Sequence, residues 1–191
     1  MTARLITATA LVAALAGCGS SGPAIPKSKL SKLVLQQGDL PRGFAPFYVG
    51  QQLAADQAGV RSDPERNGRL GGWIGRFHRS GSAATVGPIV VASRADVFEG
   101  SGGAKKELEA DGAHLSRLGG KRLDPGKLGE AAVAYTLLQK GAVNVRSYTI
   151  AWRQANAEAV LEANGFEGKF TLADALGLAR KQQARLVAAG G

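Results

Sequence analysis

The chain has 191 residues, with 24 Lys+Arg against 15 Asp+Glu and a net charge of +9. Hydrophobic residues at 45% and charged residues at 20% fit one folded domain and exclude disorder throughout. A single Cys excludes an internal disulfide framework and Cys-based zinc or iron–sulfur sites, and two His residues leave little for a histidine metal cage.

The first residues carry an address. Arg4 is a minimal positive region, and Leu5 to Ala16 is an apolar stretch broken only by Thr7 and Thr9. A membrane span needs roughly 20 residues, so this stretch suits the core of a secretory signal peptide instead. Leu15-Ala16-Gly17-Cys18 follows, and it resembles the lipobox of bacterial lipoproteins. The resemblance implies cleavage by signal peptidase II between Gly17 and Cys18, with a diacylglyceryl thioether on Cys18. An ordinary signal peptide that happens to contain a Cys is the competing reading. The place of the only Cys at the end of the apolar stretch favours the lipobox.

Gly19-Ser20-Ser21-Gly22-Pro23 reads as a flexible tether. The expected division is therefore 1–17 signal peptide, 18–27 lipidated Cys and tether, and 28–191 a single domain. Two acyl chains hold a protein at a membrane where one binds only marginally. Lys27, Lys29 and Lys32 stand just beyond the tether, where they either support contact with an anionic surface or form the solvated face of a helix. An exported basic protein has little occasion to meet nucleic acid, and no recognition motif for it is visible.

In the mature chain, Leu30, Leu33 and Val34 at helical spacing predict a short helix over Ser28 to Gln37. Gly38 to Gly43 ends it. Phe44 to Leu53 predicts a first strand, with Pro46 placing it at a sheet edge. Ala54 to Arg69 reads mostly as loop. Strands are expected at Gly72–Arg79 and Pro88–Phe98, then an amphipathic helix carrying Ala104, Leu108, Leu115 and Leu118 toward the sheet. Glu130–Leu138, Val143–Gln154 and Ala157–Ala163 read as three more strands, the last two a hairpin around Ala155-Asn156. Tyr148, Ile150 and Trp152 share one strand face and are expected in the core. Thr171 with Asp174 forms a capping box for a final helix whose face is Leu172, Leu176, Ala179 and Leu186. The order α-βββ-α-βββ-α with short connections predicts an α+β fold: a mainly antiparallel sheet covered by helices.

Gln37-Gly38-Asp39-Leu40-Pro41-Arg42-Gly43-Phe44 resembles the opening of many exported actinobacterial lipoproteins of unassigned function. Trp152-Arg153-Gln154…Ala159 and the stretch from Ala173 to Leu186 also look like theirs, although Gln154-Ala155-Asn156 stands where a glycine turn is expected. Some such lipoproteins, like the extracellular sensor domains of mycobacterial Ser/Thr kinases, have α/β sandwiches related to the photosystem protein PsbP. The resemblance runs loosely from Leu33 to Leu186 and implies that kind of sandwich. None of its motifs is catalytic.

A search for chemistry returns little. Glu99-Gly100-Ser101-Gly102-Gly103 is the nearest string to a nucleophile elbow and lacks its first glycine; Gly119-Gly120-Lys121-Arg122 lacks the frame of a phosphate loop. Glu107, Glu109 and Asp111 crowd the middle helix; side chains two apart point to different faces, which reads as a solvated charged surface. The richest patch is Arg61 to Arg79, where Arg61, Arg66, Arg69, Arg76 and Arg79 interleave with Trp73, Phe77 and His78. Arg forks and aromatic faces suit an anionic or sugar ligand, which makes Arg66, Arg69, Trp73, Arg76 and His78 the candidate binding residues. The competing reading puts Trp73 and Phe77 in the core and Arg76 and His78 on the opposite, solvated face of their strand.

Taken together, the sequence implies a lipid-anchored, extracytoplasmic and non-enzymatic domain that binds an anionic lipid or another envelope ligand. No cofactor is expected beyond the lipid on Cys18. An envelope enzyme or accessory subunit, and a protein-interaction module, are the alternatives. A deep pocket would favour ligand binding, a close carboxylate pair in a cleft an enzyme, and a broad apolar patch a partner.

Overall fold

The computed structural model describes residues 24–52 and 64–190. The signal stretch, Gly17 and Cys18 of the lipobox, Arg61 and most of the expected loop lie outside the described residues. A 3₁₀ turn at Lys27–Lys29 leads into α1 (Leu30–Leu33), and a second at Gln37–Asp39 precedes β1 (Ala45–Gln51). A third 3₁₀ turn (Pro64–Asn67) precedes β2 (Arg69–His78), followed by β3 (Val90–Phe98) and α2 (Ser101–Arg117). Then come β4 (Lys121–Leu123), β5 (Ala131–Gln139), β6 (Val145–Gln154), β7 (Ala157–Phe166) and α3 (Leu172–Gly190).

The seven strands form one antiparallel sheet in the order β1-β2-β3-β7-β6-β5-β4. This is the expected α+β class, with one strand more than the sequence predicts. β4 has three residues, two of them exposed and charged, at the sheet edge, so it shows no alternation to detect. Pro46 sits in the other edge strand, where its missing N–H costs no ladder bond to a further neighbour. The two runs of strands join where β3 pairs with β7, Ala95 opposite Ala159 and Val91 opposite Ala163.

Alternation divides the sheet into two unlike faces. The first carries Phe77 of β2, Val91, Ala95 and Val97 of β3, Ile150 and Trp152 of β6, and Ala159 and Leu161 of β7. It is covered by α1 and α3, and the buried side chains form one continuous apolar core. Trp152 is fully buried, and its Nε1 donates to Gln183 Oε1 of α3 at 2.7 Å, so the indole brings no unpaired donor into the core. Thr171 and Asp174 cap α3 reciprocally as expected, through Thr171 N to Asp174 Oδ2 at 2.9 Å and Asp174 N to Thr171 Oγ1 at 3.3 Å. The second face carries Ile74, Arg94, Asp96, Glu158 and Val160, and α2 covers it.

The first helix is shorter than its periodicity predicts. Leu33, Val34 and Leu35 are all fully buried, and three consecutive buried side chains cannot lie on one stripe of a helix. The chain leaves α1 at Val34 with ψ 159° and crosses the core face extended, its Leu35 N–H donating to Ser93 Oγ at 2.9 Å. Ahead of α1 the chain also joins the core. Ile25 is buried, its N–H donates to Asn156 Oδ1 at 2.7 Å, and Asn156 Nδ2 donates back to the Ile25 carbonyl at 3.1 Å. A single apolar residue has no period, which is why the sequence hides it.

Candidate functional site: the clefts beside helix α2

The sheet disperses the patch from Arg61 to Arg79. Trp73 packs against the core on the first face, whereas Arg76 and His78 project from the second. His78 is exposed and meets the Phe47 ring at 5.5 Å, and Arg76 lies over the Tyr48 ring at 5.8 Å. Arg79 donates to the Pro88 carbonyl at 2.6 Å and stacks over Phe44. Arg66 falls in the third 3₁₀ turn, and Arg69 is drawn under that turn rather than outward. Trp73 therefore shares no surface with Arg76 and His78, and the strand alternation accounts for the separation.

Arg69 leads instead to a charged layer between α2 and the sheet, which the sequence does not announce. A register shift between Arg69 and Gly71 turns Arg69 onto the second face, where its Nε donates to Asp96 Oδ1 at 2.6 Å. Gly72 lies beneath: a Cβ there would collide with both Arg69 Nη2 and Asp96 Oδ1, so a larger residue would have to displace this pair. Next along the layer, Arg94 Nη2 donates to Asp111 Oδ2 of α2 at 2.5 Å. Arg94 also stands 3.5 Å from Asp96 and 3.7 Å from Glu158. From the helix side, Glu107 Oε2 accepts from Asn67 Nδ2 at 3.1 Å.

Asp96, Glu107, Asp111 and Glu158 are all buried. The reading of Glu107, Glu109 and Asp111 as a solvated face thus holds for Glu109 alone. Glu107 and Asp111 are four apart, on the stripe of Ala104 and Leu108, and that spacing points both carboxylates at Arg94 and Asn67. Conversely Leu118, expected to face the sheet, lies past the end of α2 and is exposed.

The layer sets the protonation of its members. Burial opposes the charge on Arg94, but Asp111, Asp96, Glu158 and Glu162 outweigh it and hold the guanidinium more firmly protonated than usual. Burial pushes the Glu158 carboxyl well above the ordinary range; Asp111 adds to the rise, Arg94 opposes it, and Asp96 and Glu107 raise it further. Neither Glu158 oxygen has a hydrogen-bond partner among the described residues, so the protein stabilises its neutral form.

α2 spans this layer with a cavity on each flank. Toward β5 lies a cleft of about 590 Å³, floored by Leu108, Gly112 and Val133 and bordered by Lys105, Arg122 and Arg153. Toward β3 and β7 lies a smaller one of about 320 Å³, whose polar wall includes Arg94, Asp111, His114 and Glu162. A third, of about 270 Å³, sits between Lys29, Lys32 and Arg185 on the core side. The larger cleft is in the size range of small-molecule sites and combines an apolar floor with few charged groups. Among the described residues no cluster of His, Cys, Asp and Glu could hold a metal ion.

The segment Gln37 to Phe44 proves to be a clasp. Asp39 Oδ2 accepts from the Gln36 N–H at 2.7 Å and from Arg185 Nε of α3 at 2.8 Å, and the Asp39 carbonyl accepts from Lys181. Phe44 closes the segment as a core residue. Two of the three stretches that carry the lipoprotein resemblance, Gln37 to Phe44 and Ala173 to Leu186, are thus in contact with each other.

No family model and no curated protein matches the chain. Among solved structures it is similar to the extracellular domain of PknH from Mycobacterium tuberculosis, with a TM-score of 0.61, 14% identity, and 88% of this chain covered against 97% of that one. Likeness at that identity establishes the fold. Among the described residues no helix is long and apolar enough to cross a membrane.

Proposed function

We propose that the protein is a lipid-anchored, extracytoplasmic and non-catalytic domain that holds a ligand in the cleft between α2 and β5. The observation that carries this reading is the cleft itself, about 590 Å³ with an apolar floor and a basic border. The lipobox supports the anchor, and the shared fold of the PknH extracellular domain supports a place outside the cytoplasm. The dispersal of the predicted arginine patch supports the cleft on the far flank of α2, instead of β2, as the site.

Two measurements test the reading. Metabolic labelling with an alkyne fatty acid should tag the wild-type chain and leave Cys18→Ala untagged; equal labelling would remove the anchor. An organic extract of the host envelope should raise the thermal midpoint of the wild-type chain, since any ligand of the native state stabilises it. Gly112→Phe, which fills the cleft, should cancel that rise. A rise of the same size in a folded Gly112→Phe chain would move the site elsewhere. The alternative of an envelope enzyme draws on the smaller cavity, where Arg94, Asp111, His114 and Glu162 meet. There Asp111 is held by Arg94, which leaves Glu162 as the carboxylate for general-base chemistry, and Glu162 is exposed, without the burial that tunes such a base.

A further inference from the structure

We infer that the cleft beside α2 takes a single-chain amphiphile with an anionic head, such as a fatty acid or lysophospholipid; this rests on the cleft being the ligand site. The chemistry of the walls sorts the possible occupants. Leu108, Val133 and the bare backbone of Gly112 form an apolar floor that offers nothing to a small hydrophilic ion. A neutral hydrocarbon, in turn, has no use for the border, which holds Lys105, Arg122 and Arg153 against Glu109 alone. Lys105 is loosely engaged, 3.9 Å from Glu109, and Arg153 binds Glu130 at 2.7 Å while its Nε has no partner among the described residues. Arg122 is exposed and has no ion pair among the described residues, so its guanidinium is available to a carboxylate or phosphate.

The position of the cleft in the fold fits loading from a bilayer. Asn156, in the β6–β7 turn, bonds both Ile25 and the Phe98 carbonyl at the end of β3. Arg153 stands just before that turn, and Lys105 stands one turn into α2, which starts three residues after Phe98. Ile25, near the start of the described residues, is thus held at the end of the sheet that carries Arg153, while Arg122 pairs with Tyr135 midway along β5. A lipid on Cys18 would hold that end toward the membrane, where single-chain amphiphiles reside. Gly112 lines the cleft, and a Cβ there meets Val133 at 3.8 Å and Tyr135 Oη at 3.9 Å, ordinary contact, so the backbone at this point admits a side chain's first carbon.

The test uses the full lipidated chain in phosphatidylcholine vesicles, with photoreactive palmitic acid and photoreactive palmityl alcohol as probes of equal chain length. The acid should label residues 108–116 and 131–135 about fivefold more than the alcohol, as one charge-assisted contact predicts. Excess inorganic phosphate should leave this unchanged. Lys105→Ala with Arg122→Ala should lower the acid to the level of the alcohol, and Gly112→Phe should remove both. Equal labelling of the cleft by acid and alcohol would overturn the anionic head and leave the cleft as the site. Loss of label to phosphate would assign it to a soluble anion. Label confined to other segments would overturn the cleft reading itself. Where Gly112→Phe fails to fold, peptide mapping and the two exposed cations still decide.

Discussion

The two faces of the sheet bury their helices by different means. α1 and α3 lie on a continuous apolar layer centred on Trp152, Ile150, Leu161 and Leu186, with a few buried polar groups such as Ser93 and Gln182 each bonded to backbone. α2 touches the other face through Ala104 and Leu108 plus two buried carboxylates, and has a cavity on each flank. Apolar burial is cumulative and tolerant of small shifts, whereas an ion pair out of water is held by geometry and fails when one partner goes. The charged face is therefore expected to open locally before the core face does. The cleft along α2 lies on that charged face.

Removing the centre of each layer should distinguish the two faces. Trp152→Ala should cost about 3–5 kcal/mol through the lost indole and the cavity it leaves. Arg94→Ala should cost a similar amount, about 3–5 kcal/mol, because Asp111 stays buried without its cation while Asp96 keeps Arg69. The two losses should be distributed differently. Hydrogen exchange in the Trp152 variant should rise across β6, β7 and α3 together, while in the Arg94 variant it should rise in α2 well before the core strands. Uniform acceleration in both variants would mean that the faces are one cooperative unit.

How much of this was legible in the sequence follows the same division. Period-two alternation placed Trp152, Ile150 and Tyr148 on the core face, and the capping box placed the start of α3, because apolar rows and caps are local signals. The charged layer gave no such signal. Arg94 and Glu158 occupy the alternate positions of strands whose other face is apolar, which is also where solvated charges sit. Only the i, i+4 spacing of Glu107 and Asp111 on the stripe of Ala104 and Leu108 marked two of the four carboxylates as inward. Arg69 was hidden by a register shift and Ile25 by its isolation, and both depend on pairings distant in the chain. The sequence drew attention to Arg66, Arg69, Trp73, Arg76 and His78 because adjacency concentrates charge; a strand then sends neighbours to opposite faces.

A smaller effect sharpens the account of the charged face. The Glu158 carboxyl is pushed above its ordinary value, about 4.5, so between that pH and its folded-state value the folded chain holds a proton that the unfolded chain has released. Stability is then lost as pH rises through that window, the reverse of a salt-bridged carboxylate. Glu158→Gln keeps the shape and removes the titration, so it should be more stable than wild type at pH 7.5, with the advantage shrinking toward pH 4. Each pH unit that separates the folded from the unfolded value is worth about 1.4 kcal/mol. Urea midpoints for both chains at the two pH values measure it. A difference between the chains that does not change with pH would show that Glu158 is ionised in the folded protein.

The smallest expected effect lies where the two faces share a backbone. Ala155, in the turn between β6 and β7, has φ +52°, in the left-handed region, where a Cβ costs about 1–2 kcal/mol. Asn156 beside it donates to Ile25 and Phe98, so the turn is fixed from outside and the alanine must accept that conformation. Ala155→Gly relieves the strain but gives up a buried methyl, worth about 0.8 kcal/mol, and the net gain should be under about 1 kcal/mol. Ala157→Gly supplies the control, since it deletes a methyl equally buried two residues on, at a residue without positive φ, and should only destabilise. The gap between the two variants isolates the backbone contribution. Because the turn belongs to neither face, the Ala155→Gly shift should appear equally in Trp152 fluorescence and in exchange from α2. Equal destabilisation by both glycines would mean that the turn carries no strain, and a shift seen in α2 alone would tie the hairpin to the charged face.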